Sequence, residues 1–248
     1  MMNQIQMFRQ TMAAFKADPE WPTSHLITES LPETPALGDK KAPWRAINDD
    51  VFAVMSAYNQ NAGVMNFASP TNPGGGVEYG AKAQEESIAR GTYLVPALRQ
   101  FESSYYAPNR ADANGGLNTP NMIYSKRVRR LFDYDGQRLV GAYVDVATVA
   151  APNLRRYPNL DEDLALKDIA QKVLQTLRAF KANGVRVPIL GAFGCGVFGN
   201  SPYAVGKIFG ETLRRSEFDG AWEIVVFALF DPNGDTYSQF VKGLKNQE

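Results

Sequence analysis

The sequence predicts an α/β protein with one central sheet and helices on both of its faces. Apolar segments of strand length alternate with amphipathic helical segments through the second half of the chain, and this alternation is typical of a layered α/β sheet. The segment 138–149 is mostly apolar, as expected of a strand whose two faces are both covered. The chain has 248 residues and neither an internal repeat nor a linker between two halves. We therefore expect a single domain over 1–248, with 1–45 as an N-terminal helix and connecting extension packed on it.

The first half of the chain is expected to begin with an amphipathic helix. Apolar residues recur at spacings of three and four over 5–15, and Asp18-Pro19 ends the pattern. A proline-rich stretch, 19–43, connects this helix to the rest and carries one short strand at 26–28. The other predicted elements of this half are a helix from 49 to 58, a buried strand at 62–68 and a helix over 81–100 with a kink at Pro96.

The second half alternates more regularly. A polar loop is expected over 107–120, followed by strands at 122–124 and 138–149. The clearest helix begins at Asp161, presents seven apolar residues on one face and closes at Asn183-Gly184. The remaining predicted elements are a strand at 185–193, a helix at 202–215 that Pro202 opens, a strand at 222–230 and a last helix at 236–245.

Composition excludes several classes of function. Lys and Arg together number 26, as do Asp and Glu, so no basic excess favours sequence-specific nucleic-acid binding. The single cysteine, Cys195, forbids an internal disulfide and suggests a cytoplasmic protein. The single histidine, His25, has no evident partners for a Ser-His-Asp or Cys-His mechanism, and one His with one Cys is too few for a zinc site. The apolar runs are far shorter than the ~20 residues of a membrane helix, and the N-terminus is not a signal peptide.

Two glycine-rich loops each follow a predicted strand and precede a helix. The first is Asn72-Pro73-Gly74-Gly75-Gly76 and the second spans 191–200. Ligands of open α/β sheets bind at such junctions, and consecutive glycines let backbone N–H groups converge on an anion. Neither loop has the Walker pattern or the Gly-x-Gly-x-x-Gly spacing, so a nucleoside triphosphatase or a dinucleotide oxidoreductase is disfavoured. A tight turn without any ligand is the alternative for each loop taken singly.

The tripeptide Gln84-Glu85-Glu86 comes shortly after the first loop. Alone, it is most simply an exposed first turn of a helix, where glutamates complement the helix dipole. Its position after the triple glycine brings an anion-binding loop and a pair of carboxylates together. That combination suits cleavage at a sugar carbon next to a diphosphate, where one group binds the anion and the other moves a proton.

The order and spacing of these motifs resemble poly(ADP-ribose) glycohydrolases, and most closely the microbial type. Similar stretches include 65–68, 72–76, 80–86, 151–153 and 191–200, although relatives often have Trp in place of Phe193. The resemblance covers most of the chain and implies a three-layer α/β/α macrodomain-like fold with a mixed central sheet. It also implies hydrolysis of ribose–ribose O-glycosidic bonds, from the chain end, with release of ADP-ribose. No cofactor and no metal are expected.

The same resemblance implies roles for particular residues. Glu86 would be the general acid/base, and Glu85 would hydrogen-bond ribose hydroxyls and orient the sugar. Phe198 would pack against the terminal ribose, and Phe230 would stack on adenine, although a Phe at a strand end is more often a core residue. The residues expected to bind ADP-ribose are Asn66, Gly74, Gly75, Gly76, Val77, Gln84, Gly194, Cys195, Gly196, Val197, Phe198 and Phe230.

The expected partners are ADP-ribose or poly(ADP-ribose) and ADP-ribosylated macromolecules, with no membrane. Two other functions stay open: a macrodomain that binds ADP-ribose without cleaving it, and a hydrolase of another ADP-ribosyl linkage, such as mono-ADP-ribose on protein or nucleic acid. The intact Glu85-Glu86 pair argues against the first. A nucleophilic role for Cys195 is disfavoured because no histidine partner is evident. The cluster Lys126, Arg127, Arg129 and Arg130 is more simply a solvated edge than a grip on a polymeric anion.

Overall fold

A seven-stranded mixed sheet forms the centre of the computed structural model, which describes residues 2–58 and 61–246. The strands are β1 (Thr23–Ile27), β2 (Trp44–Ile47), β3 (Ala62–Phe67), β4 (Met122–Arg129), β5 (Tyr143–Val149), β6 (Val187–Leu190) and β7 (Val225–Ala228). Their spatial order is β1-β4-β5-β3-β6-β7-β2. β4 runs antiparallel to both β1 and β5, while β5, β3, β6, β7 and β2 pair in parallel.

Helices cover both faces of this sheet. They are α1 (Gln4–Ala17), α2 (Val51–Ala57), α3 (Gln84–Ala89), α4 (Leu94–Arg99), α5 (Ala107–Ala111), α6 (Glu162–Ala182), α7 (Pro202–Leu213) and α8 (Asp235–Lys245). Successive strand residues point to opposite faces: Val64 joins a core cluster with α1 to α4, whereas Met65 joins a second cluster with α6, α7 and α8. This arrangement confirms the predicted three-layer α/β/α fold with a mixed sheet.

The long helices follow local rules that the sequence displays. The side chain of Asp161 accepts a hydrogen bond from the backbone N–H of Leu164, and this N-cap starts α6. Ser201 caps α7 in the same way, with Pro202 at the first helical position. Strands β6 and β7 are shorter than the predicted strands 185–193 and 222–230 by two or three residues at each end.

Several expectations about elements are wrong in detail, among them the strands predicted at 26–28 and 122–124, which the structure extends to Thr23–Ile27 and Met122–Arg129. Strand β2 was not predicted, because it is a four-residue edge strand directly after Pro43. The predicted helix 81–100 is two helices, α3 and α4, with Pro96 in the first turn of α4, where a missing N–H costs no hydrogen bond. The predicted loop 107–120 begins with α5, which follows a π-helical turn at Glu102–Tyr106. The predicted strand 138–149 begins only at Tyr143.

The N-terminal segment does more than pack on the domain, because it supplies strands at both edges of the sheet. β1 pairs with β4 at one edge, and β2 pairs with β7 at the other. Within the described part of the chain, no helix is long and apolar enough to cross a membrane.

Candidate active site

A cleft of about 440 Å³ lies where β3, β6 and β7 end. Its volume falls in the range of sites for small ligands. Eight of the residues expected to act or bind line it: Gln84, Glu85, Glu86, Gly194, Gly196, Val197, Phe198 and Phe230. Other lining residues were not singled out from sequence, among them Asp50, Ser69, Lys82, Ala151, Asp231 and Thr236. The structure thus brings the Gln84-Glu85-Glu86 motif and the second glycine-rich loop to one cavity.

Glu86 has one engaged and one free carboxylate oxygen. The backbone N–H of Gly76 donates to Oε1 at 2.8 Å. Oε2 is buried and has no hydrogen-bond partner among the described residues. The side chain as a whole is buried, on the first turn of α3. A buried carboxylate oxygen that faces a cleft without a partner is suited to exchange a proton with a bound ligand.

Both carboxylate oxygens of Glu85, unlike those of Glu86, accept hydrogen bonds from protein groups. The backbone N–H of Ser69 donates to Oε2 at 2.7 Å, and Nδ2 of Asn66 donates to Oε1 at 3.2 Å. The pKa of Glu85 is raised from an ordinary value of 4.5 to about 8, chiefly by burial and in smaller part by the nearby charge of Glu86, while the hydrogen bonds from Ser69 and Asn66 act in the opposite direction. At neutral pH this side chain is therefore mostly uncharged, which suits a group that orients a sugar through hydrogen bonds.

The triple glycine lies behind the two glutamates. None of Gly74, Gly75 and Gly76 is among the residues that line the open cleft. Gly75 has φ of +61°, and a Cβ placed there would come within 2.9 Å of Glu86 Cδ and 3.2 Å of Glu85 Oε2. The loop therefore needs glycine because it wraps closely around the carboxylates.

Asn66 links strand β3 to the glutamates. Its side chain is fully buried, and Nδ2 donates both to Glu85 and to Oγ1 of Thr148 on the neighbouring strand β5, at 3.2 and 3.3 Å. Its Oδ1 has no partner among the described residues. Thr148, which the sequence did not single out, thus fixes the amide beside Glu85, and Asn66 itself is not among the residues that line the cleft.

Gln84 serves a structural purpose in this arrangement. Its side-chain Nε2 donates to the carbonyl of Met65 at 2.8 Å, and its Oε1 accepts from the N–H of Phe67 at 2.9 Å. The amide thereby completes the backbone hydrogen bonding at the end of β3. These two bonds fix the start of α3, and hence Glu85 and Glu86, relative to the sheet.

The second loop forms the opposite wall of the cleft. Asn200 holds it in place, because its Nδ2 donates to the carbonyls of Pro152 and Gly194, both at 2.9 Å. Val197 is 71 % exposed at the lip, and Phe198 is half-buried beside it. Burial raises the pKa of the Cys195 thiol to about 12, which keeps it protonated and opposes a nucleophilic role.

The far end of the cleft is flanked by Phe230 and two aspartates. Phe230 is 69 % exposed, so it is not a core residue, and its ring is available to a ligand. Asp231 accepts a hydrogen bond from the N–H of Tyr237 in the first turn of α8, and such backbone hydrogen bonds lower the pKa of Asp231. Asp50 caps α2 and also accepts from Oγ of Ser87 on α3, at 2.7 Å.

Some of the residues singled out from sequence lie elsewhere. The side chain of Val77 is 3 % exposed and packs with Phe8, Ala89 and Val95, so it does not line the cleft. The cluster Lys126, Arg127, Arg129 and Arg130 lies on and after β4, where Arg129 pairs with Glu20. His25 lies on β1 against the ring of Tyr124. The described residues contain no group of three or more His, Cys, Asp or Glu side chains placed to hold a metal ion.

The fold and the cleft define a macrodomain-like α/β protein with a glutamate-bearing site at the carboxyl ends of its parallel strands. Residues 32–132 match the family model for the catalytic domain of microbial-type PARG, that is, poly(ADP-ribose) glycohydrolase. This match confirms the resemblance to microbial-type poly(ADP-ribose) glycohydrolases that the motifs indicate.

Solved structures agree with this assignment. Poly(ADP-ribose) glycohydrolase from Thermomonospora curvata is 25% identical, over 97% of this chain and 98% of that chain, with a TM-score of 0.81. The enzyme from Deinococcus radiodurans in complex with ADP-ribose is 28% identical, over 94% of this chain and 97% of that chain, with a TM-score of 0.76. Comparison with curated proteins gives no match.

Proposed function

We propose that this protein is a poly(ADP-ribose) glycohydrolase that hydrolyses ribose–ribose O-glycosidic bonds from the chain end and releases ADP-ribose. The observation that carries the proposal is the buried Glu86 carboxylate, with Oε1 on the Gly76 N–H and Oε2 free at the cleft. The match of 32–132 to the microbial-type PARG catalytic domain supports the same substrate. The D. radiodurans enzyme, 28% identical, was solved with ADP-ribose bound.

The proposed reaction uses the two glutamates differently. Protonated Glu86 gives its proton to the glycosidic oxygen, the bond from that oxygen to the anomeric carbon breaks, and an oxocarbenium-like sugar forms. The Glu86 carboxylate then takes a proton from water as the water oxygen bonds to the anomeric carbon, which restores the acid. Glu85 and Asn66, linked at 3.2 Å, hold the ribose hydroxyls throughout. The second loop and Phe230 bind the diphosphate and the adenine.

The partners proposed with this activity are poly(ADP-ribose), its product ADP-ribose and ADP-ribosylated macromolecules. A cytoplasmic location and one catalytic domain over 1–248 belong to the same proposal. The single unpaired thiol supports the location, and the N-terminal edge strands β1 and β2, built into the same sheet as the site, support the domain.

One series of assays distinguishes three hypotheses about the function of the site. The native chain is incubated with an auto-poly(ADP-ribosyl)ated polymerase and, separately, with a mono-ADP-ribosylated protein, and free ADP-ribose is measured. ADP-ribose affinity is titrated in parallel. We expect release from the polymer. Binding without release from either substrate would replace the proposal with a non-catalytic ADP-ribose-binding protein, and release from the mono-ADP-ribosylated protein alone would replace it with a hydrolase of that linkage.

A further inference from the structure

The charged residues that line the cleft are unevenly distributed by sign. Four of them are acidic, namely Asp50, Glu85, Glu86 and Asp231, and one is basic, Lys82. A diphosphate ligand is itself negative, so any ionised carboxylate on these walls opposes its binding unless backbone N–H groups and a cation compensate, although Glu85, being mostly uncharged at neutral pH, adds little to this opposition. Lys82 is the one side chain of the described cleft lining that can supply that cation.

Lys82 has an exposed side chain on the wall of the cleft, and it forms no ion pair among the described residues. By contrast, Lys41 pairs with Asp219 at 2.6 Å, and Lys172 pairs with Asp168 at 2.6 Å. An ammonium without a partner on the wall of an otherwise acidic cleft is free to bind an anion.

The backbone places Lys82 close to the reacting groups. It lies two residues before Gln84, whose amide is fixed on β3 by two hydrogen bonds, and four before Glu86. On the other side, a Cβ built on Gly76 would lie 3.0 Å from the Cβ of Ala81, so the segment before Lys82 rests against the triple glycine. Only the flexible four-carbon stem of Lys82 is left to move, and lysine commonly binds phosphate as a mobile point charge.

We propose that Lys82 contacts a phosphate group of the substrate and contributes to its affinity, an inference that rests on the proposed function. Two phosphates meet this description: the diphosphate of the ADP-ribose unit in the cleft, and the diphosphate of the next unit of the polymer, on the leaving-group side of Glu86. The chemistry of the contact is the same for both, a charge-assisted hydrogen bond from Nζ to a phosphate oxygen.

The experiment measures Kd for ADP-ribose and KM and kcat for the polymer with native protein, Lys82→Gln, Lys82→Arg and Lys167→Gln. Lys167 is the matched control, because it is exposed on α6 away from the cleft and its substitution removes the same charge. Each measurement is repeated at about 50 mM and about 300 mM salt, since a contact between exposed charges is screened by salt.

We expect Lys82→Gln to weaken binding about tenfold at low salt and less at high salt, with Lys82→Arg close to native and kcat little changed. A rise in both Kd and KM assigns the contact to the bound unit, and a rise in KM alone assigns it to the next unit. If Lys82→Gln and Lys167→Gln have the same Kd for ADP-ribose and the same KM for the polymer, the inference is overturned. If the native chain releases nothing from the polymer, the proposed function fails, while the Kd arm still decides whether Lys82 contacts the bound unit.

Discussion

Glu85 and Glu86 are neighbours in sequence, yet the structure gives their carboxylates different surroundings. Both oxygens of Glu85 accept hydrogen bonds from protein groups, whereas Glu86 keeps one oxygen free at the cleft. Two adjacent acids can therefore take two roles, one orienting the sugar and one moving the proton. The sequence motif shows that both are present, but only the contacts show which of them is free to react.

The raised pKa of Glu85 predicts a change of stability with pH. Because the folded pKa is about 8 against an ordinary 4.5, the folded state binds an extra proton in that window, and the free energy of unfolding falls as pH rises through it. Comparison of native Tm with that of Glu85→Gln at about pH 5 and about pH 9 measures this effect. We expect the Tm of the native chain, relative to that of Glu85→Gln, to be lower at the higher pH, by roughly 2–4 °C for each kcal/mol of unfolding free energy lost. A difference in Tm that is the same at both pH values would contradict the assignment.

The close approach of the triple glycine to the two glutamate carboxylates can be tested with two glycines of similar backbone conformation. Gly75 and Gly115 have φ of +61° and +62°, but a Cβ on Gly75 meets Glu86 and Glu85, whereas on Gly115 it meets nothing within 4 Å. Both alanine variants pay the same left-handed backbone strain, of about 1–2 kcal/mol. We expect a larger loss of Tm in Gly75→Ala than in Gly115→Ala, and a loss of activity only in Gly75→Ala, since its new methyl displaces the Glu86 carboxylate. Equal activity in the two variants would contradict this account.

At the scale of elements, α3 matters through its attachment to the sheet. It has only six residues, a length at which an isolated helix is not stable, so its position depends on tertiary contacts. Gln84 anchors its first residue to β3, and the hydroxyl of Ser87 donates to Asp50 near its end. The sequence predicted a helix here but not its length or its anchors, because both depend on partners distant in sequence.

Removal of the Gln84 anchor should affect catalysis as well as stability. Gln84→Ala leaves the N–H of Phe67 and the carbonyl of Met65 without partners, which costs about 1–3 kcal/mol for a buried group. We expect a lower Tm and a lower kcat, because Glu86 is no longer fixed. Gln100→Ala is the control, since among the described residues its side-chain amide donates only to the carbonyl of Ala97 in the adjoining helix α4. An unchanged kcat in Gln84→Ala would show that α3 is held in another way.

At the scale of the whole molecule, the layers of the fold could be predicted from the sequence, whereas the edge strands of the sheet and the walls of the cleft required the structure. The spacing of apolar residues identifies α6 and α7, because the burial of one helix face requires apolar residues at a regular local spacing. It does not identify β2, which is a strand only through its pairing with β7. The same limit applies to the candidate site: Asn66 and Phe230 were singled out through the family resemblance, whereas Thr148 and Asn200 act through contacts that no local pattern encodes.

The most direct test of the central claim is the kcat of Glu86→Gln on poly(ADP-ribose), measured together with its Kd for ADP-ribose. Glutamine keeps the shape and an oxygen for the Gly76 N–H but does not transfer a proton. We expect kcat to fall by roughly 10²–10⁴-fold, the usual contribution of general acid–base catalysis, with Kd close to native. A Glu86→Gln variant that releases ADP-ribose at near the native rate would contradict the account and remove Glu86 as the acid.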